Sequence, residues 1–330
     1  MKIVADQAIP FLAGIPEPYA EVRYLDGRSF TPEAVRDADA LIIRTRTRCD
    51  AALLEGSAVR MIATATIGFD HIDLNYCRSR GIEVVTAAGC NARGVLQWVA
   101  AALVSTSRRQ RWQPHERTLG IVGVGHVGSL VREYAGAWGF RVLCCDPPRA
   151  AAGEEGFVTL DELLAGADIV TLHVPLDAST RHMADSRFFA AMRPGALLLN
   201  SSRGDVVDSQ ALLAGGHPCM LDVWEGEPHP DPALLARAWI ATPHIAGYSL
   251  QGKANATAMV VRAVAARFGW PLTEWYPDIA PTPVRTIGWE ELCATIGRHF
   301  DIEAESAALK AHPDHFESIR NTYPYRPDFL

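Results

Sequence analysis

The stretch Leu119-Gly120-Ile121-Val122-Gly123-Val124-Gly125-His126-Val127-Gly128 decides the fold. A short apolar run, Leu119–Val122, enters Gly-x-Gly-x-x-Gly, and Val127–Trp138 continues with helical spacing. Strand, glycine turn and helix in that order are the context in which this pattern binds a dinucleotide. Gly123 permits the tight turn, Gly125 lets a pyrophosphate approach the backbone, and Gly128 allows close helix–strand packing. Free N–H groups and the positive helix end then hold phosphate. The next strand, Arg141–Cys145, ends at Asp146, 18 positions past Gly128 (146 − 128). A carboxylate there accepts hydrogen bonds from both adenosine ribose hydroxyls and repels a 2′-phosphate, so NAD is favoured over NADP. Arg149 nearby weakens that preference slightly. A purely structural glycine turn would not explain strand, helix and acid together.

Outward from this loop the chain alternates strands and helices. Downstream, the strands Asp168–His173, Ala196–Asn200, Met220–Val223 and Trp239–Ala241 are separated by Leu160–Ala165, Asp185–Met192, Asp208–Ala214 and Pro232–Ala238, which have helical spacing. Near-continuous apolar strands such as Ala196-Leu197-Leu198-Leu199 predict burial on both faces. Upstream, Lys2–Ala5, Glu21–Leu25, Ala40–Ile43, Met61–Ala65 and Ile82–Val85 alternate with Thr31–Ala38, Asp50–Glu55 and Ile72–Arg80. Helix-length connections between strands imply parallel pairing and helix-covered faces. A long helix with one apolar stripe (Val95, Trp98, Val99, Ala102, Leu103) separates the two series, and another spans about Leu250–Phe268. Pro271, Pro277, Pro281 and Pro283 mark a linker, and Trp289–Leu330 reads as one or two short helices with a Tyr/Pro-rich end.

Composition narrows the functional classes. The 330 residues carry 31 basic and 38 acidic side chains, a net charge of −7, which argues against a broad nucleic-acid or anionic-membrane footprint. The longest apolar run, Trp98–Val104, is too short to span a bilayer. The N-terminus enters a strand-like run without a long apolar leader. Seven cysteines in irregular spacing, with no Cys-x-x-Cys and no Cys/His cluster, predict reduced thiols in a cytoplasm and no metal site. Adjacent Cys144 and Cys145 on one strand should face opposite sides of the sheet.

Three polar clusters follow strand ends: Asn200-Ser201-Ser202-Arg203-Gly204, Asp222-Val223-Trp224-Glu225-Gly226-Glu227-Pro228 and Thr242-Pro243-His244-Ile245-Ala246-Gly247. Ligands bind at the carboxyl ends of parallel strands. One arginine, one carboxylate and one imidazole there suit oxidation of a 2-hydroxy acid. Arg203 can grip the acid's carboxylate bidentately, His244 can take the hydroxyl proton, and Glu227 can orient the ring and favour the imidazolium. Each residue alone has a structural reading; the set behind a dinucleotide loop points to catalysis.

These motifs carry a resemblance. Gly123–Gly128, Asn200-Ser-Ser-Arg-Gly204 and Thr242-Pro-His-Ile-Ala-Gly247 resemble the NAD-dependent D-2-hydroxyacid dehydrogenases. Cys145-Asp-Pro-Pro-Arg149, Leu221-Asp-Val-Trp-Glu-Gly-Glu-Pro228, His244-Ile-Ala-Gly-Tyr-Ser249 with Gly252-Lys253, and Ala88-Gly-Cys-Asn-Ala92 narrow it to members acting on a phosphorylated four-carbon acid, over about residues 1–256. The resemblance implies oxidation of 4-phospho-D-erythronate to 2-oxo-3-hydroxy-4-phosphobutanoate with reduction of NAD, a step of pyridoxal phosphate (vitamin B6) biosynthesis. It implies Arg203, Glu227 and His244 as active-site residues. NAD contacts fall on His126, Val127, Asp146, Val174, Ser201, Ser202, Arg203, Asp222 and Gly247, and substrate contacts on Thr45, Thr66 and Tyr248. It further implies an α/β architecture: a flavodoxin-like substrate lid (residues 1–93), a Rossmann-type doubly wound NAD domain (94–256), and a connecting helix with a small α+β dimerisation segment (257–330), assembled as a homodimer.

Departures from the family pattern are few. His126 stands where Asn is frequent and Thr45 where Ser is common, and the tail after Pro271 is shorter than in many members. For the substrate phosphate, Ile43-Arg44-Thr45-Arg46-Thr47-Arg48 follows a strand, and alternate residues of an extended segment share a face, so Arg44 and Arg46 are candidate phosphate partners. A solvated basic edge is the alternative there. Two other functions stay open on sequence alone: a dehydrogenase for another acid, such as 3-phosphoglycerate or glycerate, and an NAD-sensing binding protein on the same fold.

Overall fold

The computed structural model describes residues 1–281 and 284–330; Pro283 of the proline-marked linker lies outside them. Two compact units divide the chain: Met1–Asn91 with Leu250–Pro281, and Ala92–Ser249 with the segment after Pro281.

The first unit holds five parallel strands, β1 (Lys2–Asp6), β2 (Glu21–Leu25), β3 (Ala40–Ile43), β4 (Met61–Thr64) and β5 (Glu83–Thr86), in the order β2-β1-β3-β4-β5. This is the flavodoxin-like order. Side chains alternate between two cores, as a pleated strand requires. Val4, Leu41, Ile43 and Ile62 pack on one face, while Ile3, Ala5, Ala40, Ile42 and Met61 pack on the other against Val260, Val261 and Val264 of the helix Leu250–Phe268. Fully buried aliphatic side chains each contribute about 1.5–3 kcal/mol.

The second unit holds six: β6 (Thr118–Val122), β7 (Arg141–Cys145), β8 (Ile169–Leu172), β9 (Leu197–Asn200), β10 (Cys219–Leu221) and β11 (Ile240–Ala241), all parallel, ordered β11-β10-β9-β8-β6-β7. Chain direction across the sheet reverses beside β6, the switch point at which doubly wound sheets bind ligands. The two faces are separate cores. Cys144, Leu197 and Leu199 lie in one, and Cys145, Leu198 and Val170 in the other, so both the adjacent cysteines and the continuous leucine strand behave as their spacing predicts. All seven cysteines are free.

The carboxyl end of β7 holds a helix that sequence spacing did not suggest, Pro147–Ala151, capped by the Asp146 side chain. The helix Ala92–Gln110 is buried nearly all round rather than along one stripe. The reason lies in the C-terminal segment. Expected as one or two helices in an α+β arrangement, it forms three, Trp289–His299, Ile302–Ala311 and Phe316–Asn321, and among the described residues it has no strand, only the isolated bridge Ser249↔Arg326. Trp289, Leu292, Ile296, Phe300 and Ile302 join the core around Ala92–Gln110 and so cover its outer face. Ser306 Oγ accepts a hydrogen bond from Ala241 N at 2.9 Å, on the edge of β11 that pairs with no strand. Among the described residues, no helix is long and apolar enough to cross a membrane.

Candidate active site

The phosphate loop has the geometry its glycines require. Gly123 takes φ +86°, and a Cβ there would sit 2.7 Å from the His173 carbonyl oxygen and 2.9 Å from Val174 Cγ1. A Cβ on Gly128 would lie 2.0 Å from the Gly123 oxygen. A Cβ on Gly125, in contrast, meets open space, at the N-cap of the helix His126–Trp138. Two glycines therefore serve the turn, and the third faces the room a pyrophosphate needs. A cavity lined by Val124, Gly125, His126, Ser129, Arg149 and Glu154 opens there.

Asp146 stands at the end of β7 with Oδ2 accepting from Val124 N (2.7 Å) and Oδ1 from Arg149 N (3.1 Å), so the carboxylate is fixed beside the loop. The Arg149 guanidinium donates to Val124 O (2.6 Å) and pairs with Glu154, Nε lying 3.0 Å from Oε1. Its charge is thus partnered, which reduces the attraction for a 2′-phosphate that its position in the sequence suggested. Ser201 Oγ, beyond β9, is buried without a hydrogen-bond partner. An orphaned hydroxyl and an open glycine cradle both fit a dinucleotide at this sheet end. We expect Asp146→Ala to narrow the preference for NAD over NADP by about 10–100-fold, the worth of hydrogen bonds to a charged acceptor, as read from kcat/KM with each cofactor.

The sheet gathers the chemistry by neighbouring strands. β9, β10 and β11 lie side by side and parallel, so the residues just past their carboxyl ends, Arg203, Asp222–Glu227 and His244, emerge at one end of the sheet. Gly204 explains how closely the first two loops pack: a Cβ there would stand 2.0 Å from the Trp224 oxygen. The Arg203 backbone is tied by Asn200 Nδ2 donating to its carbonyl (2.9 Å), and one guanidinium nitrogen donates to Ser202 O (2.8 Å).

Glu227 and His244 form the central pair. Glu227 Oε2 lies 2.8 Å from His244 Nδ1, and Oε1 accepts from Trp224 N at 2.8 Å. Burial alone would push the Glu227 carboxyl up; His244, the Trp224 N–H and Arg320 outweigh it and hold the group below the usual carboxylate range. An ionised carboxylate only accepts, so Nδ1 carries the proton and, in the neutral ring, Nε2 presents a lone pair. His244 has φ +58°, a left-handed conformation rare for a side-chain-bearing residue and worth about 1–3 kcal/mol of strain. Its amide donates to Asp222 O at 2.7 Å, which holds that conformation.

Asp222 has a part that its position in the sequence did not suggest. It is fully buried, and its oxygens accept from Thr242 Oγ1 (2.6 Å), Ile245 N (2.8 Å) and Ala246 N (2.9 Å). Burial pushes its carboxyl up, and these donors with His244 offset part of that. Trp98 Nε1 donates to Thr242 Oγ1 at 2.9 Å and extends the network into the long helix. Val174 sits against Gly123, and Gly247 and Tyr248 follow directly on the loop that Asp222 organises. Two residues that local pattern could not reveal, Arg320 and Arg326, reach this loop from the C-terminal segment. His182, Asp205 and Glu225 bring ligand atoms within 4.8 Å of one another, but Arg181 pairs with Asp205 (3.4 Å), and His182 Nε2 and Ser209 N occupy Glu225 (2.7 and 3.2 Å), the pattern of a loop clamp.

The substrate-contact candidates lie in the first unit, apart from Tyr248. Arg44–Arg48 is a turn and not the extended segment that its alternating residues predict, so Arg44 and Arg46 are not set on one face by strand geometry. The chain turns after β3, with Thr47 N donating to Arg44 O (3.3 Å) and Thr47 Oγ1 to Gly27 O (2.9 Å). Arg44 lies on the buried Asp6, Nε 3.0 Å from Oδ2, while Thr45 is exposed and Arg46 half-buried. Thr66 Oγ1 lies 2.6 Å from Thr64 Oγ1 and 3.2 Å from Gly68 O.

Residues 87–246 match the family described as D-isomer specific 2-hydroxyacid dehydrogenase, NAD binding domain. Solved structures share the fold: cofactor (NAD+)-bound 3-phosphoglycerate dehydrogenase of Entamoeba histolytica (TM-score 0.71, 24% identity, 84% of this chain and 99% of that one) and the TT0316 protein of Thermus thermophilus (TM-score 0.67, 29% identity, 82% and 98%). Fold, phosphate loop and the Glu227–His244 pair define the class: an NAD-dependent oxidoreductase of the D-2-hydroxyacid dehydrogenase type. Among curated relatives, the erythronate-4-phosphate dehydrogenase of Bacteroides fragilis is 44% identical over 99% of this chain and 97% of its own length. That of Pseudomonas aeruginosa is 46% identical over 85% of this chain and 77% of its own length. The chain belongs to the erythronate-4-phosphate dehydrogenase family.

Proposed function

We propose that this chain oxidises 4-phospho-D-erythronate at C2 to (R)-3-hydroxy-2-oxo-4-phosphooxybutanoate, reducing NAD, as a step of pyridoxine 5′-phosphate biosynthesis. The observation that carries the reading is the 2.8 Å Glu227–His244 pair beyond β10 and β11, in the same row of parallel strands as β9, which delivers Arg203. Support comes also from the relatives that bear that activity's name over nearly the whole chain.

Arg203 binds the carboxylate at C1, its planar fork matching the two oxygens. His244 Nε2 accepts the C2 hydroxyl proton while Glu227 holds Nδ1 and balances the charge of the resulting imidazolium. When bound, NAD supplies the acceptor for the hydride from C2. Gly123, Gly125 and Gly128, with the backbone of His126 and Val127, hold its pyrophosphate; Asp146 takes the adenosine ribose; Val174, Ser201, Ser202, Arg203, Asp222 and Gly247 border the remainder. Thr45, Thr66 and Tyr248 contact the substrate. Arg46 meets its phosphate, with a lesser part for Arg44, whose guanidinium is engaged by Asp6. In this reading the N-terminal segment is the substrate lid, the central segment binds NAD, and the protein works in the cytoplasm as a homodimer, which light scattering on the purified protein would report.

Comparing kcat/KM for 4-phospho-D-erythronate, 3-phosphoglycerate and glycerate tests the substrate. We expect the first to exceed the others by about 100-fold or more; equal values would reject the assignment. Arg46→Ala should raise KM about tenfold for the phosphorylated acid and leave an unphosphorylated analogue unaffected. Equal losses on both would remove Arg46 from the phosphate.

A further inference from the structure

We propose that the C-terminal helix Phe316–Asn321 completes the catalytic pair from within the same chain, with Arg320 as a positioning residue for Glu227 and Tyr248. The proposal rests on the dehydrogenase reading above. Phe316 is 1% exposed and belongs to the same buried core as Leu309, Trp224 and Val206. Arg320 lies one helical turn on, four positions after Phe316, and so shares its inward face.

Two contacts follow. Arg320 Nε donates to Tyr248 Oη at 3.2 Å, and Nη1 lies 3.9 Å from Glu227 Oε2, the oxygen that meets His244 Nδ1. A guanidinium only donates, so the Tyr248 oxygen accepts from Arg320. At Glu227 the guanidinium sits at the outer limit of an ion pair. It adds positive charge to the carboxylate without displacing the imidazole from it. The Tyr248 ring is braced edge-on by Tyr323 and Tyr325, ring centres 6.2 and 6.3 Å away. Charged and titratable groups face one another here: His244 and Arg320 act on Glu227, His244 on Asp222, and Tyr248, Glu227 and Asp222 on Arg320.

The test uses full-length Arg320→Gln and Arg320→Lys, with Arg320→Met as substitute if the glutamine variant does not fold. Three quantities are read: NAD affinity, kcat on 4-phospho-D-erythronate, and the substrate-free titration of the His244 ring by nitrogen NMR, assigned through His244→Gln. Without the guanidinium, more of the Glu227 charge falls on the imidazole, the Trp224 N–H remaining on Oε1. The expected result is a titration midpoint about half a pH unit higher, kcat about tenfold lower and unchanged NAD affinity. Lysine, one compact charge without a fork, should restore the midpoint and only part of kcat. A folded Arg320→Gln enzyme with the wild-type midpoint and wild-type kcat would overturn the proposal. Because the titration needs no substrate, it still decides the role of Arg320 if the wild-type enzyme proves to prefer another acid.

Discussion

Replacing His244 with glutamine is expected to lower kcat by about 10³-fold, at the upper middle of the range for removing a positioned general base, while NAD affinity stays within twofold of wild type on the order expected for a residue outside the phosphate loop. The reason is geometric. Nδ1 is committed to Glu227 Oε2 at 2.8 Å, so Nε2 is the atom left to take the hydroxyl proton, and an amide at that position cannot take it. Glu227→Gln should be milder, about 10²-fold, because the ring remains but loses the carboxylate that balances the imidazolium. Steady-state kinetics of both variants with a fluorescence titration of NAD check this. Wild-type turnover in His244→Gln would assign the proton to another group.

The second large effect is on stability. Arg326→Ala is expected to destabilise the fold by about 3–5 kcal/mol, lowering Tm by roughly 10 °C for a unit of this size. Arg326 is 6% exposed, and its guanidinium gives hydrogen bonds to Ile245 O (3.0 Å), Tyr248 O (3.2 Å) and Gly94 O (2.9 Å), and also to Ala246 O. Nε reaches Gln97 Oε1 (3.3 Å), and the Phe300 ring lies 4.1 Å from the guanidinium carbon. Removing it orphans carbonyls in the segment that follows His244, so activity should fall at temperatures where the protein is still folded. Arg326→Lys should recover part of the loss, since an ammonium cannot fork to this many acceptors. Thermal unfolding with parallel activity measurements checks the prediction; an unchanged Tm for Arg326→Ala would mean the tail does not secure the loop.

What could be read from sequence, and what could not, follows from the distance between partners along the chain. The phosphate loop was legible because strand, turn and helix are contiguous, and Gly128 is set by contact with Gly123 within that short stretch, although Gly123 itself is also hemmed by His173 and Val174 beyond β8. Arg203, Glu227 and His244 were legible as strand-end residues, since parallel strands place their carboxyl ends together whatever their order. Alternating Arg and Thr at Arg44–Arg48 mimic a strand, whereas the chain turns there with Thr47 held by Gly27 far upstream. The role of Asp222 was hidden because its partners, Thr242, Ile245 and Ala246, belong to the next strand's loop. Arg320 and Arg326 carried no local signal at all: their contacts with Tyr248 and Ile245 span 72 and 81 residues. The helical form of the tail depends on the face it covers, the outer side of Ala92–Gln110, which spacing alone presented as exposed.

The central claim is that hydride leaves C2 of a bound 2-hydroxy acid as His244 takes the hydroxyl proton. Turnover of 4-phospho-D-erythronate deuterated at C2, with the reduced cofactor analysed by mass spectrometry, tests it most directly. The account predicts one deuterium in each reduced cofactor formed. Reduced cofactor without label, or none formed from folded protein in either direction of the reaction, would contradict it.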